Sequence, residues 1–238
     1  EGETTTASVD RSTGVPPVGE PPTAQFPEIQ IATLSNGLDI RLAQRSATPM
    51  VTLSLQVDAG YAADPHDSPG TANLALNMLD EGTRTLNSLQ ISEALENLGA
   101  RLGTSSNLDM SSVTLSVLTE HFTAALDIYA DVIKNPSFPE VEFTRLRNQQ
   151  LARIRREKSN PNQTALRVFP KLMYGASHAY GAPLTGSGTE AAVSELNRSD
   201  LATFHERWMR PNNATLIVVG DIAMEDLQTQ LERAFFNW

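Results

Sequence analysis

Residues 70–83 read Gly-Thr-Ala-Asn-Leu-Ala-Leu-Asn-Met-Leu-Asp-Glu-Gly-Thr, and this stretch decides the fold. Its small and apolar residues recur with the spacing of one helix face, at Ala72, Ala75, Leu76 and Leu79. This spacing predicts a helix with one buried stripe. Asn73 and Asn77 are four residues apart, so we expect their side chains to share a neighbouring face, beside Leu76.

The ends of this predicted helix carry recognisable signals. Ser68 is a residue type that caps helix N-termini, and Pro69 suits the first helical position. Gly82 is of the type that ends a helix. The sequence therefore predicts a helix that begins at residue 69 and ends before Gly82.

The stretch resembles the zinc-site helix of the pitrilysin/insulinase metallopeptidases, which runs Gly-x-Ala-His-x-x-Glu-His-Met and ends near Gly-Thr. In this inverted H-x-x-E-H motif, two His bind zinc and the Glu activates water. Asn73 and Asn77 stand where the His would be, and Leu76 stands where the Glu would be. The frame itself matches without gaps at Gly70, Ala72, Met78, Gly82 and Thr83.

The resemblance implies that the zinc chemistry is missing from this segment. The family's third ligand is a Glu roughly 75 residues further along, and the matching segment here, Gln149–Ile154, contains no acid. Zinc prefers imidazole, thiolate or carboxylate ligands, and leucine cannot act as a base. We expect no catalytic and no metal-binding residue in this chain, because Asn73, Leu76 and Asn77 are degenerate. Zinc is expected in a catalytic partner half.

Later segments carry the same resemblance. The loop at residues 174–186 is similar to the family's YG-x-x-HPYG-x-P-x-x-G, with Ala179 in place of Pro. Its interpretation as a chamber or interface loop stays open beside a structural one, in which the glycines allow tight turns. We favour the structural one because the family keeps this loop in its silent halves too. The segment at residues 200–221 resembles DL-x-x-FH-x-x-(W/Y)-x-x-P-x-NA-x-L-x-VVGD, and its uninterrupted apolar run predicts a buried central strand.

Local signals predict further elements. Ser35-Asn36-Gly37 between apolar runs predicts a hairpin with a type I′ turn. The alternation in Val51–Val57 predicts a strand with one buried face. Asn87 and Gln90 are spaced as a capping pair for a helix that continues to Leu98.

Composition limits the partners. The net charge of −10 argues against nucleic acid and anionic membranes, and no apolar run is long enough to span a bilayer. There is no cysteine, and the four His form no ligand pair.

A basic helix follows Pro139, and we interpret it as a solvated or salt-bridged face rather than a nucleic-acid site. The chain begins with Glu1, which we interpret as a processed or cut end.

The order of elements favours an α+β sandwich, in which helices pack on a mostly antiparallel sheet. Residues 1–26, rich in Pro and Thr, read as a flexible linker, and residues 27–238 as a single pitrilysin-type domain. The resemblance implies a non-catalytic domain that forms chamber wall and substrate contacts with a catalytic half, on the same chain or a separate subunit. Peptides or unfolded proteins would be the substrates, and a periplasmic or other extracytoplasmic bacterial location is expected.

Two other classes of function also agree with the sequence. One is a structural or assembly subunit without proteolysis, as in the core proteins of respiratory complexes that share the family's fold. The other is an unrelated peptide-binding module, which a different sheet topology would reveal.

Overall fold

The computed structural model of the protein describes residues 27–238, together with Gly14, Gly19 and Thr23. The linker predicted for residues 1–26 therefore lies, apart from those three positions, outside the described residues. Residues 27–238 form a mixed sheet with helices packed against it, which confirms the predicted α+β class.

The sheet of the described residues has six strands: β1 (Ile29–Thr33), β2 (Asp39–Gln44), β3 (Met50–Val57), β4 (Arg101–Ser106), β5 (Ser111–Leu118) and β6 (Ala214–Gly220). Their spatial order is β1-β2-β6-β3-β5-β4. Strands β2 and β6 run parallel, and every other neighbouring pair is antiparallel. The mostly antiparallel sheet is therefore confirmed.

Side-chain alternation places the core on one face of this sheet. In β3 the buried residues are Val51, Leu53, Leu55 and Val57, and those between them are polar and at least partly exposed. Strand β5 repeats this pattern. Strand β6 is central, as predicted, but only one of its faces is buried, because Ile217 and Val219 remain 41% and 43% exposed. The predicted central position is thus confirmed, while full burial is limited to alternate residues of the strand.

The helices are α1 (Thr71–Asn77), α2 (Ser88–Asn97), α3 (Phe122–Lys134), α4 (Glu140–Lys158), α5 (Pro161–Tyr174), α6 (Glu190–Glu195), α7 (Arg198–Trp208) and α8 (Met224–Phe235). Helix α2 begins with the predicted capping box, in which Asn87 and Gln90 each accept a hydrogen bond from the other's backbone. Among the described residues, no helix combines the length and the apolarity needed to cross a bilayer.

The β1–β2 hairpin forms, but with a different turn from the one predicted. A type I′ turn needs positive φ at both central residues, and only Gly37 has one, at +90°. The Gly37 N–H donates to Leu34 O and the Leu34 N–H to Leu38 O, so Gly37 forms a one-residue bulge after the turn. The Asn36 side chain donates instead to Phe235 O at the end of α8.

Tyr129 on α3 ties the helix layer to the centre of the sheet. Its side chain is fully buried, and its hydroxyl donates to Val113 O at 2.7 Å and accepts from the Leu55 N–H at 3.2 Å. Phe235 of α8 meets the ring edge-on, with centroids 6.4 Å apart. The hydroxyl thus bonds to one backbone group on each of β3 and β5.

Candidate functional site

Helix α1 begins two residues later than the sequence signals predict. The helix starts at Thr71, and Gly70 precedes it with φ +110°. The carboxylate of Asp64 accepts from the Gly70 N–H at 2.6 Å and the Ala72 N–H at 2.7 Å. The prediction that Ser68 caps the helix and Pro69 occupies its first position was wrong, because an acceptor from an earlier loop takes the first free N–H groups.

Burial raises the pKa of Asp64 to about 7, and the backbone hydrogen bonds from Gly70 and Ala72 partly oppose that rise. This carboxyl group fixes the entry angle of α1. The positions of Asn73 and Asn77 therefore depend on a group outside the helix itself.

The three degenerate positions lie as the helical spacing predicts. The side chains of Asn73 and Asn77 share one face, and Asn77 Nδ2 donates to Asn73 Oδ1 at 3.2 Å. Leu76 points into the core and is 1% exposed. The predicted buried stripe is also confirmed, at Ala72, Ala75, Leu76 and Leu79. The α-helix proper ends at Asn77, and a 3₁₀ turn at residues 79–81 carries the chain to Gly82.

Helix α4 supplies the opposite side of the same site. A cleft of about 210 Å³ lies between α1 and α4, and it is lined by Asn73, Asn77, Leu146, Gln149, Gln150, Arg153 and Arg156. Residues 149–154, which align with the family's third zinc ligand, therefore do face Asn73 and Asn77. They contribute amide and guanidinium groups to the cleft.

Gln150 is the most buried polar residue of this cleft, with 5% of its surface exposed. Its Nε2 donates to Gly70 O at 3.1 Å and to Ser187 O at 2.9 Å. Its Oε1 is buried without a hydrogen-bond partner among the described residues. A buried acceptor without a donor is costly, so this oxygen offsets part of the stability that the two hydrogen bonds of Nε2 provide.

A buried ion pair supports α4 behind the cleft. Glu157 accepts from Arg167 Nη1 at 2.6 Å, Ser187 Oγ at 2.7 Å and Arg153 Nε at 2.9 Å. Burial raises the pKa of Glu157, but the hydrogen bonds from Ser187 and Arg167 outweigh this and hold it below the usual range. The Glu157 carboxylate is therefore ionised, and both of its oxygens accept hydrogen bonds from neighbouring side chains.

The donor set of the cleft does not fit zinc. Two of its amides are bonded to each other, and the position of the family's base is an aliphatic side chain in the core. Within the described residues no three His, Cys, Asp or Glu side chains lie close enough to share a metal ion. Neutral amides and guanidinium groups do not match the ligands that hold zinc in proteins.

The loop at residues 174–186 lies away from this cleft, beside a second cavity of about 410 Å³. Tyr180 donates to Asp109 Oδ1 at 2.6 Å, and Tyr61 donates to Leu184 O at 2.9 Å. His178 stacks on Tyr174, with ring centroids 5.3 Å apart. These contacts attach the loop to the sheet end, which supports the structural interpretation.

Sequence reasoning missed the arginines of the site. Arg153 and Arg156 were interpreted only as part of a solvated or salt-bridged helix face, although α4 places both at the cleft with Asn73 and Asn77. Their i, i+3 spacing along α4 was the available signal.

Comparison with known sequences agrees with this geometry. The sequence model described as insulinase, peptidase family M16, matches residues 40–186, and the one described as peptidase M16 inactive domain matches residues 195–238. The mitochondrial-processing peptidase subunit beta of Mus musculus is 26% identical over 212 residues, covering 89% of this chain and 42% of that protein. The uncharacterized zinc protease YmxG of Bacillus subtilis is 24% identical over 191 residues, covering 80% and 46%. The chain thus spans less than half the length of these relatives.

Solved structures show the same fold. A peptidase M16 inactive domain from Pseudomonas fluorescens superposes with a TM-score of 0.83 at 27% identity, covering 88% of this chain and 50% of that one. The periplasmic protease PqqL from Escherichia coli gives 0.77 at 21% identity, covering 91% and 24%. Because the insulinase model matches more than half of the sequence, the resemblance in the α1 stretch is confirmed, and the chain belongs to the insulinase family of peptidases, family M16.

Proposed function

We propose that this chain is a non-catalytic domain of an M16 zinc metallopeptidase, which forms chamber wall and substrate contacts with a catalytic half. One observation carries the proposal: α1 keeps the family's frame while Asn73, Leu76 and Asn77 replace its chemical groups. The descriptions of one matching sequence model and of the Pseudomonas structure as inactive domains support it.

The loss of chemistry follows from the side chains. Without two imidazoles and a carboxylate, zinc has no set of charged or strongly donating ligands. Without a base at residue 76, the general-base contribution, typically about 10²–10⁴-fold, is absent as well. The segment therefore holds no zinc, and the zinc of the enzyme sits in the catalytic half.

The sheet offers the surface for contact with substrate. Its outer face carries Thr52, Ser54 and Gln56 on β3 and alternating polar residues on β5, all at least partly exposed. Strand β4 is an edge strand next to α1, and its outer backbone edge is unpaired in the sheet of the described residues. An extended peptide adds to such an edge by main-chain hydrogen bonding.

The compartment and the partner belong to the same proposal. The catalytic half lies on the same chain or on a separate subunit, and its substrates are peptides or unfolded proteins. A periplasmic or other extracytoplasmic location in a bacterium is supported by the PqqL structure, which is described as a periplasmic protease.

Two measurements on the purified full-length protein test the proposal. Metal analysis of the full-length protein is expected to give one zinc for each intact H-x-x-E-H motif and none for this domain, and any further tightly held zinc would overturn the proposal. A fluorogenic peptide assay is expected to show hydrolysis only when the catalytic half carries an intact H-x-x-E-H motif.

The control replaces the motif Glu of the catalytic half by Gln. This variant should still form the complex, as size-exclusion chromatography would show, and should lose hydrolysis. If no partner with an intact motif co-purifies and no hydrolysis appears, the chain acts instead as a structural or assembly subunit.

A further inference from the structure

The cleft between α1 and α4 has the opposite electrostatic character to a metal site. Residues 149–167 contain five basic side chains and only one carboxylate, in a chain with a net charge of −10. That carboxylate, Glu157, is already paired with Arg153 and Arg167. The region is therefore a local positive patch on an acidic protein.

Arg156 is the cation of this patch that remains available. Arg155 and Lys158 both pair with Glu190, at 2.9 Å and 2.6 Å. Arg156 lines the cleft and forms no ion pair with any carboxylate of the described residues. Its guanidinium offers five N–H donors in a planar fork that matches a carboxylate.

We infer that this cleft binds a peptide carboxylate, with Arg156 and the amide groups of Asn73 and Gln149 as donors, in the place where a catalytic member of the family would hold its metal. The inference rests on the proposed function, because it names a substrate contact of the silent half. Both a C-terminal α-carboxylate and an acidic side chain carry the chemistry that the cleft recognises.

The composition of the cleft lining is the second observation. Besides Arg156 it contains Arg153 and the amide side chains of Asn73, Asn77, Gln149 and Gln150, and among the described residues it contains no carboxylate. Arg153 is already paired with Glu157, so Arg156 is the cation that an incoming carboxylate meets. The amide N–H groups of Asn73 and Gln149 are donors for the remaining acceptor sites of that carboxylate. The cavity of about 210 Å³ has room for one residue of a peptide and not for a much larger ligand.

Fluorescence anisotropy on the full-length protein tests this with three dye-labelled alanine pentapeptides. The first ends in a free carboxylate, the second ends in a carboxamide, and the third ends in a carboxamide and has a central Glu. Binding of the first or the third, with at least tenfold weaker binding of the second, supports the inference and identifies the source of the carboxylate. Equal binding of all three, binding of none, or equal competition by inorganic phosphate overturns it.

Two variants with the same change of charge locate the site. Arg156→Gln should weaken binding of the carboxylate peptide about tenfold or more, because a hydrogen bond to a charged group contributes about 1.5–3 kcal/mol. Arg155→Gln, one position earlier and outside the cleft, should change it less than about twofold. Equal effects of the two variants would mean that the overall positive charge of the region attracts the peptide, without a defined site, and would overturn the inference.

The outcome is separable from that of the proposed function. If no peptide carboxylate binds but the complex with the catalytic half still hydrolyses peptides, the proposed function stands and this inference fails. If the carboxylate peptide binds but no catalytic half is found, the cleft assignment stands and the peptidase role fails.

Discussion

Replacing Gly70 by alanine should destabilise the protein more than an ordinary glycine substitution. Gly70 has φ +110°, a conformation that residues with a Cβ rarely adopt. A Cβ at this position would lie 2.8 Å from Gln150 Nε2, 2.9 Å from Ser187 O and 3.0 Å from Val193 Cγ2. It would therefore displace the hydrogen bond from Gln150 on α4 to Gly70 O, at the start of α1.

The magnitude follows from two separate costs. The backbone conformation costs about 1–3 kcal/mol for a residue other than glycine. Crowding against a backbone oxygen and a buried amide adds about 1–3 kcal/mol, as overpacking of a core does. Gly70→Ala should thus lower the free energy of unfolding by about 2–6 kcal/mol.

Gly99→Ala is the matched control. Gly99 also has a positive φ, +60°, but a Cβ there would meet nothing within 4 Å. It should cost about 1–2 kcal/mol, from backbone conformation alone. Both variants restrict the unfolded chain equally, so that contribution cancels in the comparison.

Urea denaturation followed by circular dichroism measures both variants. Gly70→Ala should be the less stable by about 1–3 kcal/mol, which corresponds to roughly 2–12 °C in melting temperature for a chain of this size. If the two variants are equally stable, the close packing of α1 against α4 does not govern the site, and the reasoning is refuted.

Three further outcomes are expected. Tyr129→Phe should cost about 1–3 kcal/mol in urea denaturation, because it removes the two buried hydrogen bonds of the hydroxyl with Leu55 N–H and Val113 O; a cost below about 0.5 kcal/mol would contradict this. Since the pKa of Asp64 is raised to about 7 from 3.8, the folded state binds an extra proton between these values. The free energy of unfolding should therefore fall as the pH rises from about 4 to about 7, and this fall should be smaller in Asp64→Asn when urea midpoints are compared at pH 5 and 7.5. Arg167→Met should cost about 3–5 kcal/mol, because it leaves Glu157 buried without its main partner, whereas Arg155→Met on the surface should cost less than about 1 kcal/mol; similar costs in thermal melts would argue against the buried pair.

Short-range signals predicted the elements and the layout of the degenerate site well. The capping box of Asn87 and Gln90 formed as its spacing indicates, and the alternation of β3 identified the core face. The four-residue spacing of Asn73 and Asn77 placed both amides on one face, and helical geometry alone requires this.

The errors arose where two local signals competed. Ser68 suits a cap, but Asp64, six residues before Gly70, reaches the first free N–H groups of α1 from the preceding loop. The predicted type I′ turn was wrong because Gly37 alone has a positive φ and forms a bulge after the turn, and an Asn-Gly pair suits that turn as well. Residue types alone do not choose between such alternatives.

The candidate site was predictable only in part. The replacement of the family's His and Glu was visible in residues 73–77, whereas the cleft required α4 to present Gln150 and Arg156 across from them. The orientation of the Gln150 amide depends on Gly70 O and Ser187 O, which two other segments contribute.

The position of β6 has a consequence for how the protein is made on the ribosome. This late strand lies between β2 and β3, and its pairing partners include Asp39 on one side and Val57 on the other. Until residues 214–220 emerge, the early hairpin and the β3–β5–β4 portion have no strand to join them, and each presents an open edge. Contacts between such distant segments slow folding, and open edges favour aggregation, so nascent chains that stall before β6 should be clients of chaperones.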